Sequence, residues 1–545
     1  MNTGKKADLI VLGNVITMDD RKPYARAVAI KGDRIIYVGS EDVARQLGDE
    51  KTKILDYGKN SVYPGFLEAH CHPGGAGRQA IGEILLKRDS SAEDCVQVLK
   101  NYIKKNPGKK MYSGAGFNFP EKLPDARMLD EVCPDIPVFF TSVDGHSMWL
   151  NTKAMEIMDI NEEAVKKWGT SCVHVYDNGK PNGYISENPV FYVRSRVKMS
   201  VQEMKDYLLW WQNYSFSMGY TGIYDAGVEL VSKNEHVALY EMDREGTLKQ
   251  YVFSGSCVHD NTDTPEEDMD RIAEEAGKHN GKHYNVIGAK VFCDGVVEAH
   301  TAWMLDDYCD QPGYKGVSRF DDHDKMVRLL KAASKHGMNV HVHSIGDAST
   351  KAWVDAIAEA ETATGNMDMR NALAHLHMVR QEDVGRFADY NIVAVAGIMW
   401  AEKEPGYFKQ EVEYVGEKKA SDGYRMREFV DAGAVIVSHS DFPVSPAISV
   451  PLAVCIGSQG YIPSHGIERR RSDHQFIGRK ETLKALTVNV AYSWHAEDIM
   501  GSLEIGKLAN MTVFDKDFMR DDFSEIEKAR CLATIVDGEL VYGTE

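Results

Sequence analysis

Six histidines fall into three pairs spaced two apart: His70 and His72 in PGFLEAHCHPGG, His341 and His343 in NVHVHSIGD, and His375 and His377 in NALAHLHMV. Nineteen histidines in 545 residues would give such a pair about once by chance. Each pair ends an apolar run, and a strand sets residues i and i+2 on one face roughly 6–7 Å apart. Both imidazoles of a pair can therefore aim at one point. Asp441, in VSHSDFPVSP, ends a similar run. Imidazoles joined by a carboxylate are a donor set for Zn2+ or a related divalent transition metal, one or two ions per chain.

Such groups converge only if the elements beneath them are ordered alike. The runs TGIYDA (221–226), QYVFSGS (250–256), NVIGAKVF (285–292), MNVHVH (338–343), NALAHL (371–376), IVAVAG (392–397) and AVIVSHS (434–440) read as strands. Charged helical stretches such as HDKMVRLLKAASKHG separate several of them. Strands alternating with helices imply a parallel sheet, and seven or eight units favour a closed (β/α)8 TIM barrel, whose chemistry lies at the carboxyl ends of the strands. Outside this α/β region, residues 8–17, 27–38 and 52–56 read as a small antiparallel β unit. NMTVFDKD and CLATIVDGELVYG return the same pattern near the other end, with Asp537-Gly538 as a hairpin turn. The expected division is a composite β-sandwich of 1–61 and 499–545 around a barrel of 62–498. An insertion within about 73–220 is expected beside the barrel mouth.

Composition narrows the class. The chain is 43% hydrophobic and 27% charged, with 63 basic against 82 acidic residues and a net charge of −19. No basic block offers a nucleic-acid or anionic-membrane surface. Nine scattered cysteines without a C-x-x-C pair suggest reduced thiols, and no apolar run reaches membrane-spanning length. The expectation is a cytoplasmic protein with a small-molecule substrate; a homodimer stays open.

Over almost its whole length the chain resembles the amidohydrolase superfamily and, within it, the YtcJ-like group (amidohydrolase family 3). The resemblance is carried by ADLIVLGNVITMD, PGFLEAHCH, GHSMWLNTKAM, AKVFCDG with TAWML, HVHSIGD, AHLHMV, SHSDFPV and ALTVNVAYSWHAEDIMGSLEIGKLANMTVFDKD. It implies a metal-dependent hydrolase on a TIM barrel. His70 and His72 would hold the more buried metal, and His343 and His375 the second. Lys290 would bridge the two once carbamylated, and Asp441 would ligate and shuttle the proton. The implied reaction is hydrolysis of a non-peptide C–N bond, an amide with an N-substituted formamide as one case. The same site would serve an esterase, a lactonase or a deaminase, and the fold could persist as an inactive scaffold.

The resemblance, with position in expected mouth loops, also makes His146 and Trp149 pocket residues, His146 as a hydrogen-bond donor to the substrate carbonyl. Phe117, Asn118, Glu187, His300 and Trp400 are further pocket candidates. His341 and His377 are candidates to support the ligands or face the substrate. By strand direction His377 lies nearer the mouth than His375. Three departures from the family pattern leave the ligands intact: Glu68 for the common aspartate, Cys71 within the first pair, and Ile398-Met399-Trp400 where relatives carry Gln-Pro. Gly75–Ala80 formally fits G-x-G-x-x-A, but it follows a strand ending in His-x-His and reads as a loop.

Overall fold

Eight short apolar runs become the parallel strands of a barrel: β1 (Phe66–Cys71), β2 (Tyr220–Asp225), β3 (Tyr251–Cys257), β4 (Tyr284–Phe292), β5 (Asn339–Ser344), β6 (Ala372–His375), β7 (Val393–Ala396) and β8 (Ile436–Ser438). The computed structural model describes residues 6–87, 90–119, 123–142, 147–197, 199–228, 230 and 232–544. Strands β1 to β8 pair in chain order. They are buried on both faces, as parallel strands flanked by helices must be. The seam between β8 and β1 is closed at the level of the histidines. There Asp441 N donates to His70 O at 3.0 Å and His72 N to Phe442 O at 2.9 Å.

The helix between β4 and β5 shows how these elements form. Asp322 accepts from Lys325 N and starts His323–Lys335, whose buried stripe is Met326, Val327, Leu329, Leu330 and Ala333. The barrel core includes Leu67, Tyr224, Phe253, Ala374, Val395, Val437 and Trp494. Among the described residues, no helix is long and apolar enough to cross a membrane.

Strands from both ends of the chain share one seven-stranded sheet, in the order 539–543, 531–536, 511–514, 53–64, 9–16, 24–31, 34–39. It differs from the antiparallel expectation: Leu9–Ile16 and Lys53–Pro64 run parallel, because two strands and a helix intervene. The expected 27–38 run is two strands, split at the left-handed Gly32 (φ 58°). The central strand Lys53–Pro64 is separated from β1 only by Gly65, so the terminal sheet feeds directly into the barrel's first histidine-bearing strand.

Residues 74–210 form a unit of their own. Its six-stranded sheet runs in the order 173–175, 181–186, 147–150, 138–142, 112–117, 83–85. Helix Ala92–Lys105 is started by a capping box of Ser91 and Asp94. Gly77, in the formal G-x-G-x-x-A match, lies in a helix; a Cβ there would meet the Tyr207 backbone oxygen at 2.2 Å. This glycine serves close packing rather than a phosphate loop.

Candidate metal centre

The ends of β1, β4, β5, β6 and β8 bring their side chains together. Asp441 Oδ1 lies 3.0 Å from His72 Nε2 and 3.3 Å from His70 Nε2, and Lys290 Nζ lies 3.3 Å from His70 Nε2. One ligand atom each of His70, His375 and Asp441 falls within 4.8 Å of the others. The His375 ring is 4.8 Å from that of His70 and 4.4 Å from that of His343. The donor set fits a metal on two counts. A tetrahedral Zn2+ with ligands at 2.0–2.2 Å holds neighbouring ligand atoms about 3.3–3.5 Å apart. Among the described residues, both ring nitrogens of His375 and Nδ1 of His72 are buried without a hydrogen-bond partner. Orphaned polar atoms in a protein interior are costly unless something occupies them.

Electrostatics favours the ligating forms. Burial pushes His70, His341 and His375 well below the ordinary imidazole value, and His343 down to about 4. All four are neutral at pH 7. Burial alone would raise the Asp441 carboxyl, but the hydrogen bond from His72 and the nearby imidazoles hold it well below the usual range. Burial brings the Lys290 amine down to about 8.

A second layer fixes these groups. Glu68 Oε1 accepts from His70 N at 3.2 Å and Ser440 N at 2.9 Å, tying β1 to the end of β8. The buried Asp294 carboxylate accepts from Trp303 N, Ile345 N and Gly346 N at 3.0, 3.1 and 2.8 Å. His343 Nε2 lies 3.1 Å from Gly295 O, which leaves its Nδ1 lone pair for the site. Trp400 lies flat on His375, at 5.3 Å and 13°, with its Nε1 donating to Ser445 Oγ at 2.8 Å.

The third histidine pair does not behave as a strand pair. β6 stops at His375, where φ is 78°, and Leu376 follows at 50°. Two left-handed residues in succession break the two-residue period, so His377 leaves the site. Its Nε2 lies 2.8 Å from Glu411 Oε1, its ring stacks on Tyr424, and Arg471 is paired with the same glutamate. The strand-direction expectation for His377 is thereby corrected.

Phe117 and Trp149 are fully buried in the core of the 74–210 unit with Tyr112, Phe140 and Tyr184, because they sit on inward-facing strand positions. Asn118 and Glu187 are on that unit's surface. His146 lies outside the described residues. His300 is held by Asp310 at 2.8 Å and packs on Tyr414. Sequence reasoning missed His439, whose ring is 4.9 Å from that of His375 and 5.3 Å from that of His70. The signal was available, since His439 and Asp441 repeat the two-residue spacing.

A model described as "Amidohydrolase family" matches residues 54–542. The N-substituted formamide deformylase of Arthrobacter pascens is 26% identical over 98% of this chain and 98% of its own length. The putative amidohydrolase YtcJ of Bacillus subtilis is 24% identical over 97% of this chain and 98% of its own. The crystal structure of an uncharacterized metal-dependent hydrolase from Pyrococcus furiosus shares the fold, with TM-score 0.76 and 23% identity, covering 94% of this chain and 100% of that one.

Proposed function

Because the chain belongs to the amidohydrolase family and is a hydrolase of carbon–nitrogen bonds, we propose that it cleaves a non-peptide amide of a small molecule at a divalent-metal centre. His70, His72, Lys290, His343, His375 and Asp441 would hold the metal. The observation that carries this reading is the convergence of ligand atoms of the buried His70, His375 and Asp441 within 4.8 Å, with both ring nitrogens of His375 lacking a hydrogen-bond partner among the described residues. Zinc, one or two ions per chain, suits this nitrogen and oxygen set. When bound, such an ion supplies a Lewis acid and lowers the pKa of water toward neutrality.

The protein's own groups do the rest. Asp441, ionised at neutral pH, accepts a proton from the attacking water and returns it to the departing nitrogen. Lys290 is carbamylated in this account. A lysine with a depressed pKa carries more of the neutral amine that adds CO2, and the carbamate replaces a cation that cannot ligate with an anion that can. The Trp400 indole, fixed against His375, gives the site an aromatic wall against which the substrate is oriented. The nine free cysteines fit a reducing, cytoplasmic setting.

The specific candidate substrate is an N-substituted formamide, the class in the name of the Arthrobacter pascens relative. Parallel turnover screens of formamides, larger amides and esters test it, and a preference for esters would overturn the amide reading. Asp441→Asn should lower kcat by 10²–10⁴-fold, the usual contribution of a positioned acid–base group, while metal is retained. Residual activity near the parent level would remove Asp441 from proton transfer.

A further inference from the structure

His341 sits on β5, beside Lys290 in the β4–β5 register and two residues before His343. It is 3% exposed, enclosed between the His70 and Tyr224 rings. Its Nε2 lies 2.8 Å from His70 Nδ1. The other nitrogen of His70, Nε2, is the one within 3.3 Å of Asp441 Oδ1 and of Lys290 Nζ. The two nitrogens of His70 are thus divided: one faces the cluster of donors, the other is taken by His341.

We propose that His341 is a positioning residue for the metal centre, accepting the Nδ1–H of His70 and so keeping the Nε2 lone pair turned toward the metal. The inference rests on the metal-centre reading above. A neutral imidazole has one N–H and one lone pair, so the hydrogen bond made by one nitrogen decides what the other can do. Orienting partners of ligating histidines are commonly carboxylates, backbone carbonyls or water. Here the acceptor is a second imidazole, which fixes the tautomer without adding a negative charge behind the ligand.

The neighbours of His341 suit a fixed acceptor. Tyr224, from β2, stacks on its ring at 4.6 Å and 16°. On the neighbouring β3, a Cβ at Gly255 would meet the Tyr224 hydroxyl at 2.5 Å. The absence of a side chain at Gly255 therefore lets Tyr224 lie flat on His341, and His341 in turn holds His70. His341 is not part of the His70, His375 and Asp441 group whose ligand atoms converge.

The test compares the parent protein with His341→Leu and His341→Gln. Glutamine places an oxygen acceptor near the position of the imidazole Nε2; leucine fills the space without one. Zn2+ affinity is measured by competition with a chromophoric chelator, and the visible spectrum of the Co2+-loaded proteins reports ligand geometry. Metal-free melting temperatures check folding. The expected result is a 10–100-fold loss of Zn2+ affinity in His341→Leu, the range found for removing such partners. An altered Co2+ spectrum should accompany it, with most of the affinity recovered in His341→Gln. A folded His341→Leu that binds Zn2+ and Co2+ like the parent overturns the inference and leaves the metal centre standing. Equal loss in both variants also overturns it, because an acceptor would then not be what His341 supplies. A parent that takes up no metal overturns the centre and the inference together.

Discussion

Two histidines two residues apart, His375 and His377, have opposite duties. Among the described residues His375 Nδ1 and Nε2 have no hydrogen-bond partner, whereas His377 Nε2 lies 2.8 Å from Glu411 Oε1, itself paired with Arg471. The two substitutions should therefore separate cleanly. His375→Ala should reduce bound metal and turnover together while leaving the metal-free melting temperature nearly unchanged. His377→Ala should keep the metal but cost about 1–3 kcal/mol in denaturant unfolding, because Glu411 loses one of two partners in a buried site. Atomic absorption and urea titration on both variants check this, and metal loss in His377→Ala with none in His375→Ala would reverse the assignment. The His-x-His spacing is legible in the sequence, but which member ligates is not. That depends on left-handed backbone at His375 and Leu376, where neither residue announces it. The burial of Phe117 and Trp149 is hidden from the sequence for a related reason: an aromatic residue in a strand-rich insertion can face its own core as readily as a pocket.

Elements meet at His283, which precedes β4. Its Nδ1 lies 3.2 Å from Asp243 Oδ1 on helix Asn234–Glu245, and its Nε2 lies 3.0 Å from Asp537 Oδ2 in the terminal hairpin turn. Lys282 and Tyr251 also reach Asp537. The protonated ring can donate to both carboxylates at once. Burial opposes that charge, but the two hydrogen bonds outweigh it and raise the His283 pKa. Burial works against the carboxylates too, yet Asp537 is held at about 2 and Asp243 is lowered by their His283 bonds. The signs then fix a window. The raised His283 contribution is complete below about pH 6.5 and fades as pH climbs through its folded value, whereas the carboxylate contributions fade as pH falls below about 4. His283→Gln should lower the melting temperature most between pH 5 and 6.5 and progressively less above it. A difference that grows from pH 6 to 9 would contradict the clasp. Strand positions in the barrel were legible because buried parallel strands read as continuous apolar runs. The parallel pairing of residues 9–16 with 53–64 was not, since local pattern carries no information about which distant strand becomes the neighbour.

At the scale of the whole molecule, the centre gathers groups from five barrel strands, and β1 continues from the strand at the middle of the terminal sheet. Metal binding should therefore stabilise the fold as a unit. An ion at a thousand times its dissociation constant adds about 4 kcal/mol when it binds only the folded state. Chelation should lower the melting temperature and Zn2+ should restore it; an unchanged transition would mean that the five strands are not tied through an ion. The barrel strands, and the histidines and aspartate at their ends, could be read from the sequence because each rests on local periodicity and ordered motifs. The inner arrangement of residues 74–210 could not, since no repeat or motif there declares its strand order. The most direct measurement is formamide turnover against metal bound per chain, on untagged protein titrated from the metal-free state with Zn2+ in bicarbonate. Turnover should be absent without metal and should rise until it saturates at one or two ions per chain. Turnover that is full in metal-free protein, or a chain that binds no ion across the titration, would contradict it.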